Sequence, residues 1–256
     1  MKSKKVKFSK NLINLVITVS SLLIFLLSWE LIVVVFKISP IVLAKPSEII
    51  PVIFNNAQVL LDELGFTFTD VFFGWLIGNV IALITSTLIF SSVKLSKAIT
   101  SLSVVINAVP LIALSAILGG FIGTDQNAKI VIVAILCYFA MLIVSLNAFT
   151  TINEDYTNLF KTYNSNWLQK FIKLIVPNSL PMIFTVLKLN VVTALTTAIV
   201  SEFFGAHGGI GQFILTRKGF YDLPMVWAAI FFVVLSGLTF YLIIGLIQKK
   251  FVYWSL

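Results

Sequence analysis

Long apolar runs separated by short polar breaks set the pattern of this chain, at about 12–36, 71–90, 102–122, 130–149, 182–200 and 225–247. Each is close to the roughly 20 residues that a helix needs to cross the hydrocarbon core of a bilayer. None alternates apolar and polar residues with period two, as a spanning barrel strand does. In lipid, free backbone groups have no water to bond, so the runs predict helices. The expected fold is an all-α membrane protein with six transmembrane helices in a single domain over residues 1–256.

The first run follows Lys2, Lys4, Lys5, Lys7 and Lys10. Its length and the lack of a small-residue cleavage site predict an uncleaved span rather than a signal peptide. Glu30 lies inside it, near the outer end, where a carboxylate reaches headgroups or a partner group. Residues 37–70 hold Pro40, Pro46, Pro51 and the acids Glu48, Asp62, Glu63 and Asp70, and predict an outer connection. A short helical pattern from Ile49 to Leu64, closed by Gly65, is expected to lie on or partly in the membrane. In the second span, Gly74 and Gly78 form a small-xxx-small pair that lets two helix backbones approach. The third span carries Asn107, Pro110 and Ser115; its proline frees a carbonyl, so this span lines a pathway or is simply bent.

One long polar interruption breaks the second half, residues 153–181. Thr151 and Glu154 have capping-box spacing, and Asp155 adds a second acid to the first turn of a helix. Asn164 suits a left-handed exit from that helix. Asn166 then caps a second helix whose Trp167, Phe171, Ile172 and Ile175 share one apolar face, and Pro177 is expected to end it. The second helix has its own bundle to pack on. The first, with Tyr156, Leu159, Phe160 and Tyr163 among polar residues, is the candidate for a partner's groove.

Composition agrees with a membrane protein: 59% of residues are hydrophobic and 11% charged, against about 45–50% and 25% in soluble domains. The net charge of +8 is distributed by topology. With both termini inside, the inner segments hold twelve lysines, at 2, 4, 5, 7, 10, 94, 97, 161, 170, 173, 249 and 250. The outer segments hold Lys37, Lys45, Lys129, Arg217 and Lys218. By the positive-inside rule the termini and the 153–181 hairpin are cytoplasmic. Lys188, shallow in the fifth span, is expected to snorkel to the inner surface.

Catalytic motifs are missing. The cluster Gly205, Gly208, Gly209 and Gly211 lacks the Lys-Ser/Thr of a phosphate loop and falls outside. His207 has no second His or Cys beside it for a metal, Cys137 is the single cysteine, and no HExxH occurs. No metal or cofactor is expected on this chain, and a transport role fits better than an enzymatic one. Polar residues inside the spans are few. Asn190, Thr193 and Thr197 recur at i, i+3 and i+7 on one face. With Asn107, Pro110 and Ser115 they are candidates for lining a pathway, the alternative being hydrogen bonding between helices.

Several stretches together resemble the membrane-spanning permease subunits of type I ATP-binding-cassette importers, in the branch for nitrate, sulfonate, taurine and thiamine precursors. They are Trp29 to Leu31, Pro46 to Ile49, Phe73 to Gly78, Ala108 to Leu114, Ile122 to Asp125 and SEFFGAHGGIG from Ser201 to Gly211. The family's E-A-A-x-x-x-G loop falls on Asn158 to Asn164, with Asn in place of both Glu and Gly. The resemblance implies that Asn158, Leu159, Phe160, Lys161, Tyr163, Asn164 and Ser165 meet a separate ATPase dimer, which binds ATP and Mg. It also implies a homodimer in the bacterial inner membrane and an external solute-binding protein, with Glu202, Gly205, His207 and Gly211 at the outer gate or binding-protein contact. Small anions and thiamine-type pyrimidines are both compatible substrates. The residues by themselves leave open a stand-alone carrier, a membrane-embedded substrate-binding subunit, or a scaffold without a pathway.

Overall fold

The computed structural model describes residues 17, 20, 21, 23–107, 109–205 and 208–255, and the regular structure among them is helical. Most of the expected run before residue 23, the Asn107 side chain and His207 lie outside the described residues. In chain order the helices are α1 (Leu23–Val35), α2 (Pro46–Asn55), α3 (Ala57–Ile89), α4 (Val93–Asn107), α5 (Leu111–Ile122), α6 (Gln126–Thr150), α7 (Glu154–Thr162), α8 (Trp167–Lys170), α9 (Val176–Glu202), α10 (Ile210–Gly219) and α11 (Leu223–Phe251). Among the described residues, four stretches are long and apolar enough to cross a membrane: α3, α6, α11 and the continuous run Trp167–Glu202.

Three boundaries differ from the sequence expectation. First, α3 has 33 residues and begins at Ala57, so residues 57–64 are its first turns and not a separate surface helix. Gly65 does not stop it, because one glycine in a long helix costs only about 1 kcal/mol relative to alanine. Second, the 102–122 run is two helices. Pro110, extended at φ −56° and ψ 127°, sits before Leu111, so the missing proline N–H falls at a break instead of inside a span. Third, Pro177 does not end a helix: a π-turn over Phe171–Ile175 leads directly into α9. There the Val176 N–H bonds to the Phe171 carbonyl, and Pro177 enters in the first turn of α9, where a missing N–H is tolerated.

Buried residues form three layers along the bundle. The layer nearest the hairpin includes Ala82, Met141, Leu146, Phe149 and Ile183; the middle one Val71, Val133, Cys137, Val191 and Phe240; the far one Ala44, Leu60, Ile210 and Met225. Between helices in lipid there is little hydrophobic drive, so close backbone approach and interhelical hydrogen bonds hold the bundle. The closest approach is α3 on α6. A Cβ on Gly74 would sit 2.5 Å from that of Val133, and one on Gly78 would overlap the Ala134 carbonyl. At mid-bundle the Asn190 amide donates to Asn79 Oδ1 at 2.7 Å and to the Cys137 carbonyl at 3.0 Å, while Trp75 Nε1 donates to the Leu187 carbonyl at 2.9 Å. These bonds tie α3, α6 and α9 together.

Candidate functional site

Two polar constructions stand at opposite ends of the bundle. At one end is the hairpin of α7 and α8. Asn153, not Thr151, caps α7: its side chain accepts from the Asp155 N–H at 2.8 Å. The Thr151 hydroxyl instead donates back to the Asn147 carbonyl at 2.7 Å, at the end of α6. Glu154 and Asp155 in the first turn and Lys161 in the last complement the helix dipole. The turn leaves through Asn164 at φ +48°, left-handed as its sequence suggested. Ser165 donates both its N–H (3.1 Å) and its hydroxyl (2.7 Å) to the Phe160 carbonyl, satisfying an otherwise orphan acceptor.

Support and exposure are divided between the two helices. Asn166 and Gln169 form a reciprocal capping box at the start of α8. Trp167 stacks on Phe171 at 5.4 Å, and Phe171 meets Phe90 at 5.5 Å and Phe149 at 5.8 Å, anchoring the hairpin to α3 and α6. The π-turn inserts a residue, so Leu174 and Ile175 face inward while Ile172, expected on the inner face, is exposed. No residue of α7 is buried. Leu159 and Tyr163 are 50% and 78% exposed, Asn158, Lys161 and Asn164 are exposed, and Phe160 and Ser165 are half-buried. Apart from half-buried Phe160, this helix therefore presents an exposed apolar ridge with polar flanks.

The other end holds a clasp that the sequence reading missed. The first N–H groups of α10 and of the loop before it, which a helix start leaves unpaired, bond to side chains of α3 and α9. Gly209 N–H goes to Glu63 Oε2 at 2.9 Å, Ile210 N–H to Thr67 Oγ1 at 2.8 Å and Gly211 N–H to Glu202 Oε2 at 2.6 Å. The Thr67 hydroxyl in turn donates a hydrogen bond to Glu202 Oε1 at 2.7 Å. Two carboxylates at a helix N-terminus are favoured by its dipole. One turn further along α3, Asp70 Oδ2 lies 2.8 Å from Lys129 Nζ of α6, a pair whose side chains are 0% and 5% exposed. Glu63, Thr67, Asp70, Gly74 and Gly78 share one face of α3, at i, i+4, i+7, i+11 and i+15. That period was the available signal, masked because acids clustered between prolines and Gly65 resemble an outer connection.

Of the candidate gate residues, Glu202 and Gly211 meet in this clasp, and Gly205 stands in the loop between them at φ +109°. The candidate pathway residues do not share an open surface. Asn190 and Thr197 are 1% and 0% exposed. Asn190 holds three helices together, and Thr197 donates to the Thr193 carbonyl at 2.6 Å, so interhelical and local bonding, not an open lining, uses their polarity. Thr193 is half-buried and Pro110 exposed at the α4–α5 break. Ser115 is buried, with a hydroxyl that has no hydrogen-bond partner among the described residues. Glu30 meets the start of α2, accepting from the Ser47 hydroxyl at 2.7 Å and its N–H at 3.1 Å. Lys188 lies over the Tyr241 ring at 5.5 Å instead of reaching outward alone.

Comparison with known proteins places this arrangement. Residues 74–253 match the family model described as binding-protein-dependent transport system inner membrane component. A probable ABC transporter permease protein of Haemophilus influenzae is 23% identical over 91% of this chain and 94% of its own length. The formylaminopyrimidine transport permease protein ThiX of Halalkalibacterium halodurans is 27% identical over 84% of this chain and 86% of its own. In fold, the chain is similar to a chain of the inward-facing MetNI methionine ABC transporter, with a TM-score of 0.63 and 16% identity over 78% of this chain and 98% of the other. The chain belongs to the family of binding-protein-dependent transport system inner membrane components and is a multi-pass membrane permease subunit of an ABC importer, a family whose members work with a separate ATPase and a substrate-binding protein.

Proposed function

We propose that α7 and the turn at Asn158–Ser165 form the docking element for the ATPase partner, and that the clasp at the opposite end carries the external gate. The observation that carries this reading is the division of labour in the hairpin: α8 and the π-turn are anchored by Phe90, Phe149 and Phe171, while α7 has no fully buried residue. An exposed amphipathic helix on a rigid base suits insertion of apolar anchors into a groove. Leu159 and Tyr163 supply the anchors, and Asn158 and Lys161 the polar rim. ATP and Mg²⁺ bind to the partner. Their cycle draws two ATPase subunits together and apart, and the rigid base passes that motion to α6 and α9, shifting the bundle between two states.

In this reading α1, α3, the α4–α5 pair, α6, α9 and α11 give six crossings, with both termini and the hairpin in the cytoplasm, as the lysine distribution favours. Two copies enclose the pathway. The substrate, delivered outside by the binding protein, is a small polar solute, either a pyrimidine like that named for the Halalkalibacterium relative or a small oxyanion.

The docking role is tested by co-purification. A chain with Leu159→Ala and Tyr163→Ala is expected to insert normally but to lose a co-expressed cognate ATPase, since truncating central apolar or aromatic anchors costs about 2 kcal/mol or more each. Undiminished capture of the ATPase by this variant would overturn the assignment.

A further inference from the structure

At the hairpin end, an open cavity of about 560 Å³ lies between α4 and α6, lined by Leu146 and by the polar residues Ser96, Lys97, Thr100, Ser101, Asn147 and Thr150. Lys97, Thr100 and Ser101 are spaced i, i+3, i+4 on α4, and Asn147 and Thr150 i, i+3 on α6, so two polar stripes converge on one space. We propose that this cavity is a binding site for an oxyanion group of the phosphate or sulfate type.

Three observations carry the proposal. The Lys97 ammonium has no carboxylate within ion-pair distance among the described residues, so the cavity holds one uncompensated positive charge. The hydroxyls of Thr100 and Ser101 make no hydrogen bond among the described residues. Most helical hydroxyls of this chain do otherwise: those of Thr85, Thr185, Thr196 and Thr239 all donate to the carbonyl four residues back. Finally, the Asn147 side-chain amide, facing them from α6, is also unengaged among the described residues, although its backbone carbonyl accepts from Thr150 and Thr151. An ammonium, two hydroxyls and an amide are four free donor groups around one net positive charge. That donor set fits an oxyanion, whose charge strengthens each bond it accepts. A neutral or cationic ligand would leave the ammonium unmatched.

The cavity stands beside the last turn of α6, directly before the Asn153 cap of α7. Any effect of occupancy on coupling therefore rests on the docking role of α7, whereas binding itself does not. Two sources supply the same chemistry at a membrane surface: a dissolved oxyanion, or the phosphate of an anionic lipid.

The purified full-length chain in phosphatidylcholine nanodiscs tests both, using radiolabelled sulfate in one arm and spin-labelled phosphatidylglycerol, against spin-labelled phosphatidylcholine, in the other. Saturable sulfate binding or selective retention of phosphatidylglycerol is expected. Either should weaken about tenfold or more in Lys97→Gln, the loss of one hydrogen bond to a charged group. A smaller loss is expected in Ser101→Ala, and none in Lys94→Gln, which lies outside the lining. Sulfate binding identifies a soluble ligand, and phosphatidylglycerol selectivity alone identifies a headgroup. Binding of neither probe, or equal binding by the wild-type chain and a folded Lys97→Gln chain, overturns the proposal.

Discussion

Replacing Lys129 by Met is expected to destabilise the bundle by about 3–5 kcal/mol, because Asp70 is left as a buried charge without its partner. Asp70 is fully buried on α3, its Oδ1 makes no hydrogen bond among the described residues, and Lys129 Nζ lies 2.8 Å from its other oxygen. Among the described residues the carboxylate has no other ion-pair partner. Removing both charges is a different experiment. Apolar residues of similar volume are often neutral or stabilising in place of a buried ion pair, so Lys129→Met with Asp70→Leu should recover most of the loss. Thermal unfolding midpoints of the three proteins in detergent decide it. A single variant as stable as the double one would show that the pair does not hold α3 to α6.

Gly209→Ala is expected to open the clasp at the same end. Gly209 lies at φ +115°, where a side chain is strained by about 1–3 kcal/mol. Its Cβ would also overlap the Glu202 carboxylate. Glu202 cannot retreat without giving up the Thr67 hydroxyl and the Gly211 N–H, so the two effects act together. Binding-protein-dependent uptake in proteoliposomes and the thermal midpoint should fall together, while capture of the ATPase at the hairpin stays intact. An unaltered midpoint in this variant would mean that the loop before α10 is not held by Glu202.

Much of this architecture was legible in the sequence, because the apolar runs and the polar hairpin are coarse features that lipid enforces. Asn164 and Asn166 revealed the turn and the second helix start through their own backbone chemistry. Other features were hidden by local signals that tertiary context overrode. Gly65 and the acids before it looked like the end of a surface helix, yet α3 continues because α10 and α6 supply partners for Glu63, Thr67 and Asp70. Pro177 looked like a stop, but the π-turn before it lets the helix pass. The stripe of Asn190, Thr193 and Thr197 looked like a lining, since spacing alone cannot separate a face turned to water from one turned to another helix. The same ambiguity hid Lys97, Thr100 and Ser101, whose importance lies in their side chains making no bond to one another or to other described residues.

Site-directed cross-linking tests the role of α7 most directly. Cys137 is fully buried and stays out of the reaction, so a single introduced cysteine reports alone. Tyr163→Cys, 78% exposed on the hairpin, and Phe220→Cys, 75% exposed at the opposite end of the bundle, are each treated with a thiol-to-amine reagent in membranes containing the cognate ATPase. An ATPase adduct is expected from position 163 and none from position 220. An adduct from 220, with none from 163, would contradict it.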